Sequence, residues 1–340
     1  MANDSKVDLR KIQITGGSSF MITLPKEWAD SVGLKKNDAV GLQPQADGSL
    51  VLYPGGEKSV FEGSTKVICA DGQDNPEFLY RQLVGAYIAG HTSIKLVSET
   101  EIPSSVANVA SRFTQTAIGL EIMEESDDHL LIQDLMDQKE MKPSKSVERM
   151  KVLVRNMLND LLDSLEARDP ATLMNYQDRD REVDRLDWLV SRQVSIHQKD
   201  ITISKKMGID LCEISRCATI SRSIERIGDH AVLMASNLIP IINGGIPTFD
   251  EKILATGREA VKLFTDSVST WSSRDMESAN RCIERGEELV RQSQSIADIG
   301  DSINDEKTAV AVELIAGSVK RVTEYSMDIA EIAINSAMDQ

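Results

Sequence analysis

Ser223-Ile224-Glu225-Arg226-Ile227-Gly228-Asp229-His230-Ala231 is the stretch on which the reading of this chain turns. Laid on a helix at about 100° per residue, it extends an apolar stripe of Ile220, Ile224, Ile227, Ala231, Met234 and Leu238. Glu225 and Asp229 stand one turn apart, roughly 150–180° from that stripe. A related stretch follows downstream. Val319-Lys320-Arg321-Val322-Thr323-Glu324-Tyr325-Ser326 repeats residues 224–231 at an offset of 95, and Arg168-Asp169 recurs as Arg274-Asp275 at an offset of 106. A period near 100 residues marks a duplicated structural unit.

Working outward, helical spacing fills the chain from Met141 to the C-terminus, as in Leu153/Met157/Leu161 and Val183/Val190/Val194. Breaks are expected at Asp169-Pro170, near Gly208, and across Pro240 to Pro247 with its Gly244-Gly245 pair. Three further helices are expected at 249–272, 275–298 and 303–338. Two tandem three-helix bundles, 143–240 and 248–340, are the natural packing of this pattern.

The carboxylates are paired along these helices. Asp180 and Asp184 lie one turn apart on the second helix, and Glu324 and Asp328 lie opposite the stripe of Val319, Val322, Ser326 and Ile329 on the last. Acids at i and i+4 repel each other unless something neutralises them. A hard cation with an oxygen-rich shell would do so. So would a solvated face with Arg222, Arg226 and Arg321 as ion-pair partners, which is the plainer reading of the spacing alone.

The motif at 223–231, Asp180-Arg181-Glu182-Val183-Asp184 on the preceding helix, and the duplication together resemble the PhoU family of phosphate-uptake regulators, over about residues 145–338. The resemblance implies multinuclear metal clusters, of iron or of Mg, Mn or Ca, on acidic E(D)xxxD motifs. By position these are Asp180, Asp184, Glu225 and Asp229, with Glu324 and Asp328 in the second copy. That second copy departs from the pattern. Lys320 aligns with Glu225, Gly286 and Val290 stand where Asp180 and Asp184 would, and Glu284 and Glu288 lie half a turn away. The resemblance further implies negative control of phosphate uptake through a phosphate ABC transporter or its signalling partner.

Residues 1–60 read differently. Alternation over Arg10–Thr15, the turn Gly16-Gly17-Ser18-Ser19, and an extended run at Phe20–Leu24 give two strands. Pro25 opens a short helix closed by Gly33, and strands Ala39–Gln43 and Ser49–Tyr53 flank Asp47-Gly48. With Thr23-Leu24-Pro25-Lys26-Glu27 and Asn37-Asp38, the run Arg10–Pro54 resembles an AbrB/SpoVT-type swapped-hairpin domain, assigned to residues 1–58. That resemblance implies an intertwined homodimer whose sheet meets DNA. Arg10, Lys11 and Lys26 are then the phosphate contacts, or else a solvated edge that discourages strand aggregation.

Residues 61–142 alternate strand and helix, and form a small α/β middle domain with a structural or dimerisation role. Its strands are expected at Lys66–Ala70, Ser93–Val97, Leu120–Glu124 and Leu130–Leu135, with helices after Pro76 and Pro103.

Charge and composition bound the function. The 340 residues carry a formal charge of −16, yet the first 60 hold seven acidic and seven basic residues, so the excess lies entirely after them. Aromatics are 4%, too few for a stacking surface for nucleic acid. Four scattered cysteines form no zinc-ligand pattern, and read as reduced packing residues. No apolar run reaches the roughly 18–20 residues of a membrane span, and Met1-Ala2-Asn3-Asp4 does not open a signal peptide, so a cytoplasmic protein without membrane insertion is expected. No nucleophile, general base or phosphate-cradling loop accompanies the acids, and an enzyme is not expected. The sequence therefore predicts a dimeric, phosphate-responsive regulator that also controls transcription through DNA. The alternative is a protein-interaction regulator whose N-terminal domain only dimerises.

Overall fold

In the computed structural model the described residues are 8–17, 19–44, 48–54, 64–73, 75–136, 141–199, 203, 207–244 and 246–339. The chain divides into two compact units, Met1–Glu62 and Gly63–Gln340.

The first unit holds two antiparallel hairpins. Strands β1 (Gln13–Thr15) and β2 (Ser19–Met21) pair in one, β3 (Val40–Pro44) and β4 (Leu50–Pro54) in the other, and the short helix α1 (Lys26–Ser31) lies between them in sequence. The expected turn residue Ser18 and Asp47 of the second turn lie outside the described residues. No described residue of this unit is buried. Ile14 and Phe20, cross-strand partners, are 70% and 76% exposed, and Leu42 is 62% exposed. An isolated two-stranded hairpin is marginal in water. Among its described residues this unit has a strand pattern without a buried core.

The second unit begins with an α/β layer. Strands β5 (Thr65–Cys69), β6 (Ser93–Val97), β7 (Leu120–Glu125) and β8 (His129–Asp134) form one sheet in the order β5-β6-β8-β7, parallel at β5/β6 and antiparallel elsewhere. A bulge between Ile122 and Glu124 shifts the last register. Helices α2 (Pro76–Ile88) and α3 (Ser104–Thr116) supply Leu79, Leu83, Tyr87, Val109 and Phe113 to a core shared with Ile68, Ile94, Leu96, Leu130 and Ile132 of the sheet. Asn75 starts α2 by accepting hydrogen bonds from the backbone amides of Glu77 and Phe78, both at 3.1 Å, ahead of Pro76 at its first turn.

Helices α4 (Pro143–Ala167), α5 (Tyr176–Lys199) and α6 (Leu211–Gly244) form the first triplet, with a 3₁₀ turn at Ala171–Asn175. Helices α7 (Pro247–Ser273), α8 (Met276–Gly300) and α9 (Glu306–Met338) form the second. The duplication is visible in the backbone. Arg168 and Arg274, 106 residues apart, each end a first helix in the left-handed conformation, at φ 58° and 56°. A single apolar core joins both triplets, so Val154, Ile224 and Ile227 lie in one cluster with Phe264, Val319 and Ile329. No described helix is long and apolar enough to cross a membrane.

One expectation needs correction. The break expected across Pro240 to Pro247 is shorter than that, since α6 runs through Pro240 to Gly244 and α7 begins at Pro247. Proline removes one ladder hydrogen bond and crowds the preceding turn. Here Leu238, Ile241 and Ile242 on both sides of it are buried in the common core, and their packing carries the helix past the defect.

The α/β layer is not hinged loosely to the helices. Arg192 of α5 is fully buried and donates to Asp134 Oδ2 at 2.6 Å and to the carbonyls of Tyr87 and His91 at 2.6 and 2.9 Å. Its guanidinium also lies 4.7 Å from the centre of the Tyr87 ring. Trp188, one turn earlier, packs on the α/β core beside Tyr80. Helix α5 thus faces the layer with Trp188 and Arg192 and the helical core with Val183, Leu186 and Val190. The middle region and the helical region fall in one compact unit.

Candidate metal centre

Glu225 and Asp229 of α6 meet Asp180, Asp184 and Asp187 of α5. Helix geometry explains the placement: positions 180, 184 and 187 recur at four and three residues, on the side of α5 next to its buried Val183 and Leu186. The helices come close because residue 228 is glycine. A Cβ there would lie 3.0 Å from Asp180 Oδ1 and within 3.7 Å of Val154 and Val183.

These acids do not point freely outward, as the helical wheel suggested. Only 12% of the Glu225 side chain and 7% of the Asp187 side chain are exposed, while Asp180 and Asp184 are half-buried and Asp229 is exposed. Burial, then Asp184 and Asp229, push the Asp180 carboxyl up to about 7. Burial and the Asp229 charge raise Asp184 to about 6 and Glu225 to about 7, with Arg222 opposing both. Burial also raises Asp187, against hydrogen bonds from Ser221 and Arg222.

Their partners divide them into two groups. Arg222 Nη1 donates to Glu225 Oε1 at 2.9 Å and approaches Asp187 Oδ2 at 3.4 Å. Ser221 Oγ donates to Asp187 Oδ1 at 2.8 Å. Asp180, Asp184 and Asp229 make no ion pair among the described residues, and Asp184 feels Arg222, and Asp229 feels Arg226, only at longer range. Asp180 Oδ1 and Glu225 Oε2 are buried with no hydrogen-bond partner in the protein. Oxygens of this kind are costly unless something satisfies them.

The residue set fits a hard cation in its chemistry: carboxylate oxygens only, too much like charge, and two orphaned acceptors. Among the described residues, no three acidic, histidine or cysteine side chains converge closely enough as they stand to hold an ion. Glu225 commits one of its oxygens to Arg222.

The second repeat is built otherwise. Glu324 accepts from Arg321 Nη1 at 2.9 Å and lies 3.8 Å from Lys320 Nζ. Asp328 is exposed, and its carboxyl is raised modestly by burial and by Glu331 and Glu324. At Gly286, where the first repeat has Asp180, a Cβ would overlap Cγ and Sδ of Met327 on α9. The thioether of Met327 fills the slot between α8 and α9. Glu284 and Glu288 instead accept hydrogen bonds from Asn280 and Gln292 of their own helix.

The repeats meet through equivalent residues. His230 and Tyr325, 95 residues apart, have ring centres separated by 6.1 Å, and His230 Nδ1 lies 3.3 Å from Ser318 Oγ. Arg226 Nη1 donates to Tyr325 Oη at 3.4 Å. Burial holds the His230 imidazole below its usual range, so it is neutral at pH 7.

In the N-terminal unit Arg10, Lys11 and Lys26 are exposed, and Arg10 Nη2 pairs with Asp8 Oδ2 at 2.5 Å. Sequence reasoning named Arg222 as an ion-pair partner of these acids, which the structure bears out, and missed Asp187. The signal was present: Asp187 is seven residues beyond Asp180 on the same helical face, and Arg222 lies three before Glu225.

Comparison with known proteins agrees with the two-part organisation. Residues 147–238 match the PhoU domain, and residues 13–59 match "Antidote-toxin recognition MazE, bacterial antitoxin". No curated protein sequence matches the chain. Among solved structures, PhoU from Pseudomonas aeruginosa is 17% identical, over 58% of this chain and 96% of that one, with a TM-score of 0.49. The phosphate transport system regulatory protein PhoU from Streptococcus pneumoniae is 13% identical, over 58% of this chain and 94% of that one, at 0.46. By the two domain matches, the chain carries a PhoU-type helical region behind a MazE/AbrB-type N-terminal segment.

Proposed function

We propose that the protein is a non-enzymatic, phosphate-responsive regulator that restrains phosphate uptake. The observation that carries this reading is the PhoU domain match at 147–238, which spans the half-buried carboxylates between α5 and α6. Its partner is a phosphate ABC transporter or that transporter's signalling protein. A cation held by Asp180, Asp184, Glu225 and Asp229 would supply the positive charge these side chains lack. Phosphate uptake in cells with and without the gene tests the reading. Uptake that stays high under phosphate excess in the deletion is expected, and unchanged uptake would overturn it.

The N-terminal unit acts as a homodimer. Its exposed Ile14, Phe20 and Leu42 need a second chain to cover them, because a segment of this size cannot bury enough surface alone. In the first reading that dimer binds DNA through Arg10, Lys11 and Lys26, and the regulator acts on transcription. A second reading has the dimer without DNA, favoured by the equal acidic and basic count of residues 1–60 and by the pairing of Arg10 with Asp8. Titration of the protein's own promoter with and without residues 1–55 separates them. The DNA reading requires binding that is lost with those residues and falls steeply with salt. Equal weak binding by both forms removes it.

A further inference from the structure

We propose that Arg222 is a built-in competitor for the cation, a guanidinium latch that occupies Glu225 until an ion displaces it and then rests on Asp187. This rests on the reading of the α5/α6 carboxylates as a cation site. Five acids meet here, Asp180, Asp184, Asp187, Glu225 and Asp229, and Arg222 is the one cation paired with any of them among the described residues.

The geometry gives Arg222 two possible seats. One nitrogen, Nη1, serves both Glu225 Oε1 at 2.9 Å and Asp187 Oδ2 at 3.4 Å. The shorter contact commits Glu225 Oε1 and sets a positive charge beside the carboxylate, leaving only Oε2, buried without a partner, for a cation. The longer contact is to a carboxylate that Ser221 already fixes at 2.8 Å from its other oxygen. Asp187 is 7% exposed, so it cannot swing to follow an ion, whereas the Arg222 side chain is 57% exposed and can turn. Two buried acids, one of them already held by Ser221, and one exposed guanidinium between them make a switchable pair. Glu225 exchanges Arg222 for the ion, and Asp187 keeps Arg222 beside the site and limits its return to solvent.

Two consequences separate this from a plain surface ion pair. Loss of Arg222 must strengthen cation binding, because no bond is broken on entry. Loss of Asp187 must weaken it, but only while Arg222 is present.

The test is equilibrium binding of Mn²⁺ to the full-length protein, with free Mn²⁺ read by electron paramagnetic resonance. Arg222→Gln is expected to bind about tenfold more tightly than wild type, the order set by one charge-assisted hydrogen bond at a partly exposed site. Asp187→Asn is expected to bind several-fold more weakly, and the Arg222→Gln/Asp187→Asn double variant to match Arg222→Gln alone. Arg222→Lys, which keeps the charge but not the planar fork, should fall between wild type and Arg222→Gln. Thermal melts of each variant with and without Mn²⁺ verify folding, and the increment due to Mn²⁺ should be largest for Arg222→Gln. Mn²⁺ binding by folded wild type and Arg222→Gln with equal affinity overturns the latch and leaves the cation site standing. Absence of binding in every folded form overturns the cation site and the latch together.

Discussion

The two helical repeats share a backbone plan and differ in what fills one slot. In the first, Gly228 of α6 admits the carboxylate of Asp180, and the five acids there share one ion-paired cation, Arg222, among the described residues. In the second, glycine has moved to the facing helix, at Gly286, and Met327 fills the space. The acids there are either ion-paired, as Glu324 is, or open to solvent, as Asp328 is. The contrast teaches that an acidic motif on a helix says little by itself. What makes the first repeat chemically distinct is a close helix approach that buries carboxylates and leaves two of their oxygens, Asp180 Oδ1 and Glu225 Oε2, without partners.

The largest effect that would break the comparison is steric. Gly286→Ala forces a methyl group onto Met327 with Leu263 at 3.3 Å behind it, and should cost about 1–3 kcal/mol in chemical denaturation. Gly228→Ala meets a carboxylate oxygen at 3.0 Å that can rotate away, and the gain of roughly 1 kcal/mol in helix propensity offsets the contact. It should leave stability near wild type while weakening any cation held beside Asp180. Similar losses of stability in both variants would show that the two slots are alike.

The next effect is a pH dependence centred on the first repeat. Asp180 and Glu225, held up to about 7, and Asp184, to about 6, bind protons more tightly when folded than in the unfolded chain, where such groups titrate near 4. Metal-free stability should therefore fall as pH rises from about 4 to about 7, and level off above that. Saturating Mn²⁺ should flatten this slope, because the ion stabilises the ionised form. Asp180→Asn/Asp184→Asn should flatten much of it without metal, and Glu324→Gln/Asp328→Asn, which removes only the raised Asp328 carboxyl, should leave most of it in place. Thermal melts across that range read all four.

The smallest effect is expected at the surface pair. Glu324→Gln removes a partner of Arg321 and Lys320 on a side chain 31% exposed, and should change stability by no more than about 1 kcal/mol. A larger loss would mean that the second repeat uses Glu324 for more than a surface ion pair.

Much of the fold was legible because it rests on local pattern. The strands β5 to β8, helices α2 and α3, and the repeated Arg-Asp steps at 168 and 274 follow from periodicity, capping and turn chemistry. Pro240 was misread because a local rule lost to tertiary packing by Ile241 and Ile242. At the site, helical spacing found the four carboxylates but placed them on an outer face. A wheel drawn for one helix does not include the neighbour that covers it, and burial of Glu225 depends on α5 approaching at Gly228. Asp187 was missed for the same reason, since its contact with Arg222 exists only across α5 and α6. The N-terminal unit shows the reverse case. Its strands were legible, and none of its described residues is buried.

The central claim is that the first repeat holds a cation and the second does not. Elemental analysis of the purified full-length protein tests it most directly, comparing wild type with Glu225→Ala/Asp229→Ala and with Glu324→Ala/Asp328→Ala. The account predicts that bound metal is lost in the first double variant and retained in full in the second. Equal metal content in wild type and Glu225→Ala/Asp229→Ala, or its loss in Glu324→Ala/Asp328→Ala, would contradict it.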